Sequence, residues 1–284
     1  MTVGELARLV ERLLEQNECE DAAFEARCLL EDIGRVGRGK TLLMQSSLLP
    51  SDLENAVIDA AKRRIEGEPL QYILGEWDFL SLTLHVGTGV LIPRPETELL
   101  CETVADFLKE HPNTPTQILD LCAGSGCVGL GIASLVYPQK PHITAVELSD
   151  GALPYLQKNV QRYPQYSVNV VKSDILTDFE RFTDPVDVIV SNPPYIKTDD
   201  LSGLQREVHY EPTMALDGDW DGYRFYRAIT NHWLPKLKEN GLVAVEVGAG
   251  QSETVERLFF AAGFHNTHRI RDVYGIERVV TATR

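Results

Sequence analysis

The chain has 284 residues, of which 42 are acidic and 27 are basic, so its formal net charge at pH 7 is −15. Hydrophobic residues make up 43% and charged residues 24%, which is the composition of a folded globular protein and excludes wholesale disorder. Single hydrophobic cores tend to stop growing near ~250–300 residues, so this length favours two domains or one large domain with an appendage. The acidic balance argues against a nucleic-acid-binding protein, because such affinity comes from neutralising phosphates with Lys and Arg.

The first residues and the cysteines predict where the protein is found. Residues 1–16 form an amphipathic helical pattern with charges throughout, unlike an export signal. No stretch approaches the ~20 apolar residues that cross a bilayer. The five cysteines form no CxxC pair and lack the spacing of zinc ligands, so we expect reduced thiols and no metal site. We therefore expect a cytoplasmic protein that does not associate with membranes.

A change of periodicity predicts two domains. Residues 1–75 are expected to form a small helical bundle, because apolar residues recur there at spacings of three and four. Ser51, with Glu54 three residues later, predicts a capping box at the start of one helix. Residues 76–90 approach a period of two, which indicates a short hairpin or an extended linker. The second domain is expected at residues 91–284.

Predicted strands and helices alternate from residue 116 onward. Apolar runs predict strands at residues 118–121, 143–147, 168–172, 186–191 and 241–248. Helical patterns cover residues 153–163, 223–237 and 253–262, and the tail offers a closing antiparallel pair at 268–270 and 278–281. Alternating strand–helix units with buried strands are typical of a doubly wound α/β sheet. Ligands of such sheets bind at the carboxyl ends of the strands.

A glycine-rich loop follows the first strand of this region and opens a helix. It consists of Cys122, Ala123, Gly124, Ser125 and Gly126. Its glycines permit a tight turn and close approach to a ligand, and we expect the amides of the helix N-terminus to face that ligand. The loop lacks the GxGxxG spacing, which weakens a dinucleotide interpretation and with it an NAD-dependent oxidoreductase.

Acidic residues at the next two strand ends point to a nucleoside. Glu147 ends the second strand, where a carboxylate can accept hydrogen bonds from ribose hydroxyls. Asp174 follows the third strand and is placed to meet an adenine amino group, with Ile175 beside the ring. Together with the glycine loop, these residues predict a ligand that contains adenosine.

The fourth strand runs into Asn192, Pro193, Pro194 and Tyr195. The prolines cannot donate to a strand ladder, so the strand must stop there. The Asn192 side-chain carbonyl and the Pro193 main-chain carbonyl could accept both hydrogens of a planar –NH₂ group while Tyr195 stacks on its plane. That arrangement would aim the nitrogen lone pair at an electrophile by positioning and desolvation rather than by a general base.

Several segments resemble known enzymes. ILDLCAGSGCVGL, AVELS and SNPPY are similar to class I S-adenosylmethionine-dependent methyltransferases that act on a planar nitrogen. LIPRPETE (91–98), GEPLQYILGEWDFLSLTLHV (67–86), YEPTMALDGDWDGYRFYR (210–227) and VEVGAGQ (245–251) resemble the release factor glutamine methyltransferases, the PrmC/HemK family. The resemblance spans essentially the whole chain. SNPPY alone also occurs in DNA and RNA amino-methyltransferases, whereas its combination with IPRPETE is more specific.

The resemblance implies a Rossmann-like methyltransferase domain, an N-terminal substrate-docking domain and S-adenosylmethionine as the methyl donor, with S-adenosylhomocysteine as the product. Residues Cys122–Gly126, Glu147, Ile175 and Asn192 would bind the cofactor, and Asp174, predicted from its position after the third strand, would join them at the adenine. Asn192, Pro193, Pro194 and Tyr195 would bind the glutamine, and Asn192, Pro193 and Tyr195 would take part in catalysis. Arg94, Glu96, Glu211 and Glu246 match family positions and are interpreted mainly as residues that shape the hinge and the cleft.

The implied reaction methylates the side-chain amide nitrogen (N5) of the Gly-Gly-Gln glutamine in class I peptide-chain release factors. Two positions depart from the family pattern: Cys122 replaces a glycine, and Ile175 replaces a residue that is often aromatic. Both departures bear on cofactor affinity. The alternatives are an N5-glutamine methyltransferase of a ribosomal protein, an exocyclic-amino methyltransferase of DNA or RNA, and a catalytically idle cofactor-binding adaptor. We expect a monomer that binds no nucleic acid directly.

Overall fold

The computed structural model describes residues 1–111 and 116–284. The chain divides into two compact units. The first unit contains residues 1–76 together with the later segment 205–210, and the second contains residues 77–204 and 211–284. The sequence predicts contiguous domains, and no pattern in it indicates that segment 205–210 belongs to the first unit.

The first unit is built from helices, as predicted. They are α1 (Val3–Gln16), α2 (Ala22–Asp32), α3 (Ser51–Ile65) and α4 (Leu70–Leu74). The apolar residues at spacings of three and four point inward, and Leu6, Leu14, Leu29 and Val57 are fully buried. The periodic pattern therefore identifies the core of this unit correctly.

The predicted capping box at Ser51 is wrong. Ser51 is the first residue inside α3, and Pro50 occupies the N-cap position with an extended backbone. Because a hydroxyl caps a helix only from the N-cap position, Ser51 is one residue too far along. A capping box lies instead at α1, where the Thr2 hydroxyl accepts the Glu5 amide at 3.2 Å and the Glu5 carboxylate accepts the Thr2 amide at 2.8 Å.

The second unit is a three-layer α/β structure. The predicted hairpin is β1 (Glu76–Phe79) and β2 (Leu82–His85). The helices are α5 (Pro95–Glu110), α6 (Cys127–Leu135), α7 (Leu153–Arg162), α8 (Arg224–Ala228) and α9 (Ser252–Ala261). The strands of the main sheet are β3 (Gln117–Leu121), β4 (His142–Glu147), β5 (Ser167–Lys172), β6 (Val186–Ser191), β7 (Leu237–Glu246), β8 (Asn266–Arg271) and β9 (Glu277–Thr283). Across the described ranges, no helix is long and apolar enough to span a membrane.

The seven main-sheet strands lie in the order β5-β4-β3-β6-β7-β9-β8. Strands β3 to β7 are parallel, and β9 runs antiparallel to both β7 and β8. The predicted doubly wound sheet and its antiparallel closing pair are confirmed. The strand order reverses between β3 and β6, so the topological switch point lies at the carboxyl ends of these two strands.

Alternate side chains of the central strands pack against opposite helical layers. In β6, Val188 and Val190 belong to the core beneath α5 and α6, whereas Ile189 packs on the opposite face with Trp233 and Phe259. All five side chains are fully buried. Burial on both faces explains why these strands read as continuous apolar runs in the sequence.

The predicted helix over residues 223–237 is only partly correct. Helix α8 ends at Ala228, and a π-helical turn (Ile229–Trp233) and a 3₁₀ turn (Leu234–Lys236) follow it. Pro235 cannot donate the next helical hydrogen bond and its ring crowds the preceding turn, so a regular helix cannot continue.

Candidate active site

A cavity of about 290 Å³ opens at the carboxyl ends of β3, β4, β5 and β6. Seven of the residues predicted for the site line it, namely Cys122, Gly124, Glu147, Asp174, Ile175, Asn192 and Pro194. Within the described ranges, the other five predicted residues lie outside the lining: Ala123, Ser125, Gly126, Pro193 and Tyr195. The parallel strands bring these positions together because the carboxyl ends of adjacent strands meet at one edge.

The glycine loop turns through three residues with left-handed backbone conformations. The φ angles are +62° at Cys122, +56° at Gly124 and +83° at Gly126. A Cβ atom at Gly126 would come within 2.6 Å of Leu156 Cδ1, whereas a Cβ at Gly124 would meet no atom within 4 Å. Gly126 is thus needed for the fold of the loop, and Gly124 leaves open space on the side of the cavity.

Three backbone amides of the glycine loop are bonded within the protein. Ala123 N donates to Val146 O at 3.0 Å, and Gly126 N donates to Ala123 O at 2.8 Å. Gly124 N donates to Glu147 Oε2 at 2.7 Å. These three amides bind the protein rather than a ligand. Because phosphate sites depend on free amides at a helix N-terminus, the loop suits a ligand without a pyrophosphate.

Glu147 is fixed at the cavity wall by two backbone donors. Its Oε2 accepts from Gly124 N, and its Oε1 accepts from Ser149 N at 2.7 Å. Each carboxylate oxygen has a second lone pair that can accept a further hydrogen bond. The carboxylate therefore braces the glycine loop and can still bind a hydroxyl group in the cavity.

Asp174 and Ile175 form the part of the wall that follows β5. Asp174 Oδ1 accepts from Leu176 N at 2.8 Å. Ile175 is buried, and its carbonyl accepts the indole N–H of Trp233 at 2.9 Å. The tryptophan thus fixes the backbone of Ile175 from beneath while the isoleucine side chain offers an apolar surface to the cavity.

The turn after β6 is attached to the neighbouring strands and loops. Ser191 Oγ donates to Leu121 O at 2.6 Å, which ties the end of β6 to the end of β3. Gln251 Nε2 donates to Tyr195 O at 2.9 Å. Burial raises the pKa of the Tyr195 phenol, and the nearby Glu246 raises it further. The phenol therefore stays protonated at neutral pH and cannot serve as a base.

Asn192 points its amide nitrogen away from the cavity. Its Nδ2 donates to the Thr97 hydroxyl at 3.2 Å, and that hydroxyl donates to Glu246 Oε2 at 2.7 Å. Thr97 and Glu246 are both buried. The Asn192 carbonyl oxygen is left for the cavity side, where it can accept a hydrogen bond.

The family-matched residues Arg94 and Glu211 contact each other. The Arg94 guanidinium forms an ion pair with the Glu211 carboxylate, which also accepts the Ile92 amide at 2.9 Å. Glu211 is buried and precedes Pro212, which lines the cavity. This pairing holds the loop that borders the cavity.

Sequence reasoning missed part of the lining. Leu148, Pro212, Met214, Arg224 and Phe225 all border the cavity. Leu148 directly follows Glu147, so its position was detectable. Pro212 and Met214 lie in the segment before α8, and Arg224 and Phe225 lie in the first turn of α8, so tertiary folding brings these four residues to the site. Among the described residues, no group of three or more His, Cys, Asp or Glu side chains is arranged to hold a metal ion.

Solved structures with the same fold are methyltransferases. The hMettl16 catalytic domain, in complex with an MAT2A 3′UTR hairpin, has a TM-score of 0.59 at 16% identity over 79% of this chain and 81% of its own. The 16S rRNA N2 G1207 methyltransferase RsmC of T. Thermophilus, in complex with AdoMet and guanosine, has a TM-score of 0.51 at 20% identity over 74% and 49%. The fold is thus that of the Rossmann-like methyltransferases.

Sequence comparison narrows the class to one family. The profile of the PrmC N-terminal domain matches residues 5–75, and that of Conserved hypothetical protein 95 matches residues 71–218. The release factor glutamine methyltransferase of Geobacter sulfurreducens is 39% identical to this chain, over 94% of this chain and 91% of the relative. The release factor glutamine methyltransferase of Thermodesulfovibrio yellowstonii is 37% identical, over 84% of this chain and 85% of the relative. The Haemophilus influenzae enzyme is 34% identical over 96% of each chain. The chain belongs to the release factor glutamine methyltransferase family.

Proposed function

We propose that this enzyme transfers a methyl group from S-adenosylmethionine to the side-chain amide nitrogen of the glutamine in the Gly-Gly-Gln motif of class I release factors. The observation that carries the proposal is the Asn192–Tyr195 turn at the switch-point cavity of a chain that matches this family over nearly its full length. The relatives' names supply the substrate class, and the turn supplies groups that can bind a planar amide.

The cavity is suited to the proposed cofactor. Glu147 can accept the ribose hydroxyls, Asp174 can accept the adenine amino group, and Ile175 can pack on the purine ring. Two carboxylates in the lining favour a cationic ligand, and S-adenosylmethionine supplies an electrophilic methyl group on a positively charged sulfonium. The engaged loop amides disfavour a dinucleotide at the same place.

The residues after β6 would position the substrate amide. Asn192 Oδ1 and the Pro193 carbonyl would accept the two amide hydrogens, which holds the nitrogen in one orientation with its lone pair toward the methyl group. An amide nitrogen loses its proton readily only as the new bond forms, so a strong base is unnecessary. This fits Tyr195, whose raised pKa keeps it neutral.

The first unit would serve as the docking domain for the release factor, bringing in binding energy remote from the reacting glutamine. We also propose that the enzyme acts as a monomer in the cytoplasm, where translation takes place, and that it recognises protein rather than nucleic acid. The net charge of −15 supports the last point, since it repels phosphate backbones.

The test is transfer of labelled methyl from S-adenosylmethionine to a purified class I release factor, with the modified residue located by peptide mass spectrometry. We expect the label on the tip glutamine. It should be lost when that glutamine is changed to alanine and when the enzyme carries Asn192→Ala. Labelling of duplex DNA, RNA or a ribosomal protein in place of the release factor would overturn the proposed substrate.

A further inference from the structure

A row of hydrogen bonds leads from the cavity wall into the core of the second unit. Asn192 lines the cavity, Thr97 lies in the first turn of α5 and is 1% exposed, and Glu246 ends β7 and is 2% exposed. Asn192 Nδ2 donates to Thr97 Oγ1 at 3.2 Å, and Thr97 Oγ1 donates to Glu246 Oε2 at 2.7 Å. The three residues are far apart in the sequence and meet only in the folded chain.

When Glu246 is ionised, its carboxylate decides the direction of this row. A carboxylate accepts hydrogen bonds and cannot donate one, so the Thr97 hydroxyl must give its hydrogen to Glu246. The lone pairs of the hydroxyl then require a donor, and the Asn192 –NH₂ group supplies it. The oxygen and nitrogen of an asparagine amide are otherwise nearly interchangeable in space, and here the buried carboxylate selects one orientation.

That orientation matters for the reaction proposed above, on which this inference rests. With its nitrogen toward Thr97, Asn192 presents its carbonyl oxygen to the cavity, where it can accept an N–H of the substrate amide. In the flipped orientation, an –NH₂ group would face another –NH₂ group. Two donors cannot pair, so the substrate amide would lose its fixed orientation.

We propose that Thr97 and Glu246 are positioning residues that lock the Asn192 side-chain amide with its oxygen toward the substrate nitrogen. Neither residue needs to touch the substrate. Glu246 acts on Asn192 through the Thr97 hydroxyl and through its own hydrogen bond with the Asn192 side chain, and the ionised form of Glu246 is the form that enforces the productive orientation.

Ionised and polar groups from several elements act on Glu246. They are Glu96 of α5, Arg278 of β9, the phenols of Tyr195 and Tyr226, and the thiols of Cys101 and Cys127. Burial raises the pKa of Glu246 to about 7, Glu96 adds to this effect, and Thr97, Arg278 and Asn192 oppose it. Below neutral pH the carboxyl gains a proton that it can donate to Thr97, and the row then no longer has a single direction.

The kinetic test compares Thr97→Val with Thr97→Ser in the full-length enzyme. Loss of the hydroxyl should lower kcat for release-factor methylation by about 10- to 100-fold, because the substrate amide is misoriented, while serine should keep kcat within about threefold. Affinity for S-adenosylhomocysteine, measured by calorimetry, should be unchanged in both variants. The kcat of the wild-type enzyme should fall below about pH 7, where Glu246 gains a proton, and this fall should be absent in Glu246→Gln. A Thr97→Val enzyme with wild-type kcat would overturn the proposal.

A second measurement does not depend on the substrate. The side-chain ¹H–¹⁵N resonances of Asn192, assigned by their loss in Asn192→Ala, should titrate near pH 7 in the wild-type enzyme bound to S-adenosylhomocysteine and should not titrate in Glu246→Gln. Resonances that stay fixed between pH 6 and 8 in the wild type would contradict the proposal. If the release factor is not methylated at all, these spectra still test the positioning role of Glu246. Failure of the proposed substrate can therefore be distinguished from failure of the positioning proposal.

Discussion

Cys122 has a backbone conformation that normally requires glycine. Its φ angle is +62°, at the first residue of the glycine loop. Burial raises the pKa of its thiol well above the ordinary range, so the thiol stays protonated and contributes no nucleophile. A left-handed conformation costs an L-residue roughly 1–2 kcal/mol relative to glycine. The departure from the family's glycine therefore stores strain in the wall of the cavity.

We expect Cys122→Gly to be more stable than Cys122→Ala by about 1 kcal/mol, since both variants lose the thiol and only glycine relieves the strained φ. Urea denaturation of both variants, followed by circular dichroism, measures the difference. Equal midpoints for the two variants would show that the loop relaxes around Cys122 without cost.

Asp120 makes the stability of the second unit depend on pH. It is fully buried in β3, and its Oδ2 accepts the Gly129 amide at 3.0 Å. Within the described ranges its Oδ1 has no hydrogen-bond partner. Burial raises the pKa of Asp120 to about 7, against the opposing hydrogen bond from Gly129, and Glu147 reinforces the rise.

Because the folded-state pKa lies above the unfolded value near 3.9, the folded chain holds a proton that the unfolded chain releases between about pH 4 and 7. Stability should therefore fall as pH rises through this window. Between pH 5 and 8 the wild type should lose about 2–3 kcal/mol more than Asp120→Asn. Urea midpoints at both pH values test this, and parallel changes in the two proteins would contradict it.

The turn after β6 is supported from behind by a second loop. A Cβ atom at Gly218 would come within 2.8 Å of Tyr195 Cα, and the Gly218 amide donates to Ile196 O at 2.7 Å. Gln251 also links this loop to the turn, because its Nε2 reaches both Tyr195 O and Gly222 O. The position of the proposed substrate-binding turn therefore depends on close contact between two backbones.

Gly218→Ala should push the Tyr195 backbone away and lower kcat by about 10- to 100-fold, because small displacements of positioning groups are costly. Gly203→Ala is the matched control, since a Cβ atom at Gly203 would meet nothing within 4 Å. Steady-state methylation assays compare the two variants. The interpretation fails if both retain the wild-type rate.

The first unit is completed by a segment that is distant in the sequence. Arg64 is buried and donates to both oxygens of Glu25, at 2.8 and 2.9 Å. It also pairs with Glu207, which belongs to segment 205–210. Tyr210 Oη adds a hydrogen bond to Glu66 O at 3.1 Å. Segment 205–210, which follows residues of the second unit in the sequence, therefore pairs with the helical part of the first unit.

We expect Arg64→Met to destabilise the protein by about 3–5 kcal/mol, because the Glu25 charge is left buried without its partner. Glu207→Gln should cost no more than about 1 kcal/mol, since the Glu207 side chain is 42% exposed. Thermal and urea denaturation give both values, and S-adenosylhomocysteine affinity should not change in either variant. Equal losses in the two variants would rule out burial as the cause.

The hydrophobic pattern of the sequence predicted the parallel sheet, and it placed the site at the edge where the strands have their carboxyl ends. Period and apolar runs predicted the main-sheet strands, and the positions after the strands pointed to Glu147, Asp174 and Asn192, all of which line the cavity. This succeeded because parallel strands bring their carboxyl ends to one edge, so local position implies spatial proximity. The helix over residues 223–237 was overpredicted because Pro235 limits it.

Folding decided which groups pair. Thr97 and Glu246 are 149 residues apart, and segment 205–210 joins helices that end more than a hundred residues earlier. The sequence does not predict that these residues pair, because a hydrogen bond depends on the distance and direction between two atoms. Those quantities exist only after the strands, helices and loops have packed. Fold class and cavity edge follow from local patterns, whereas the orientation of Asn192 follows from buried partners brought together by the whole chain.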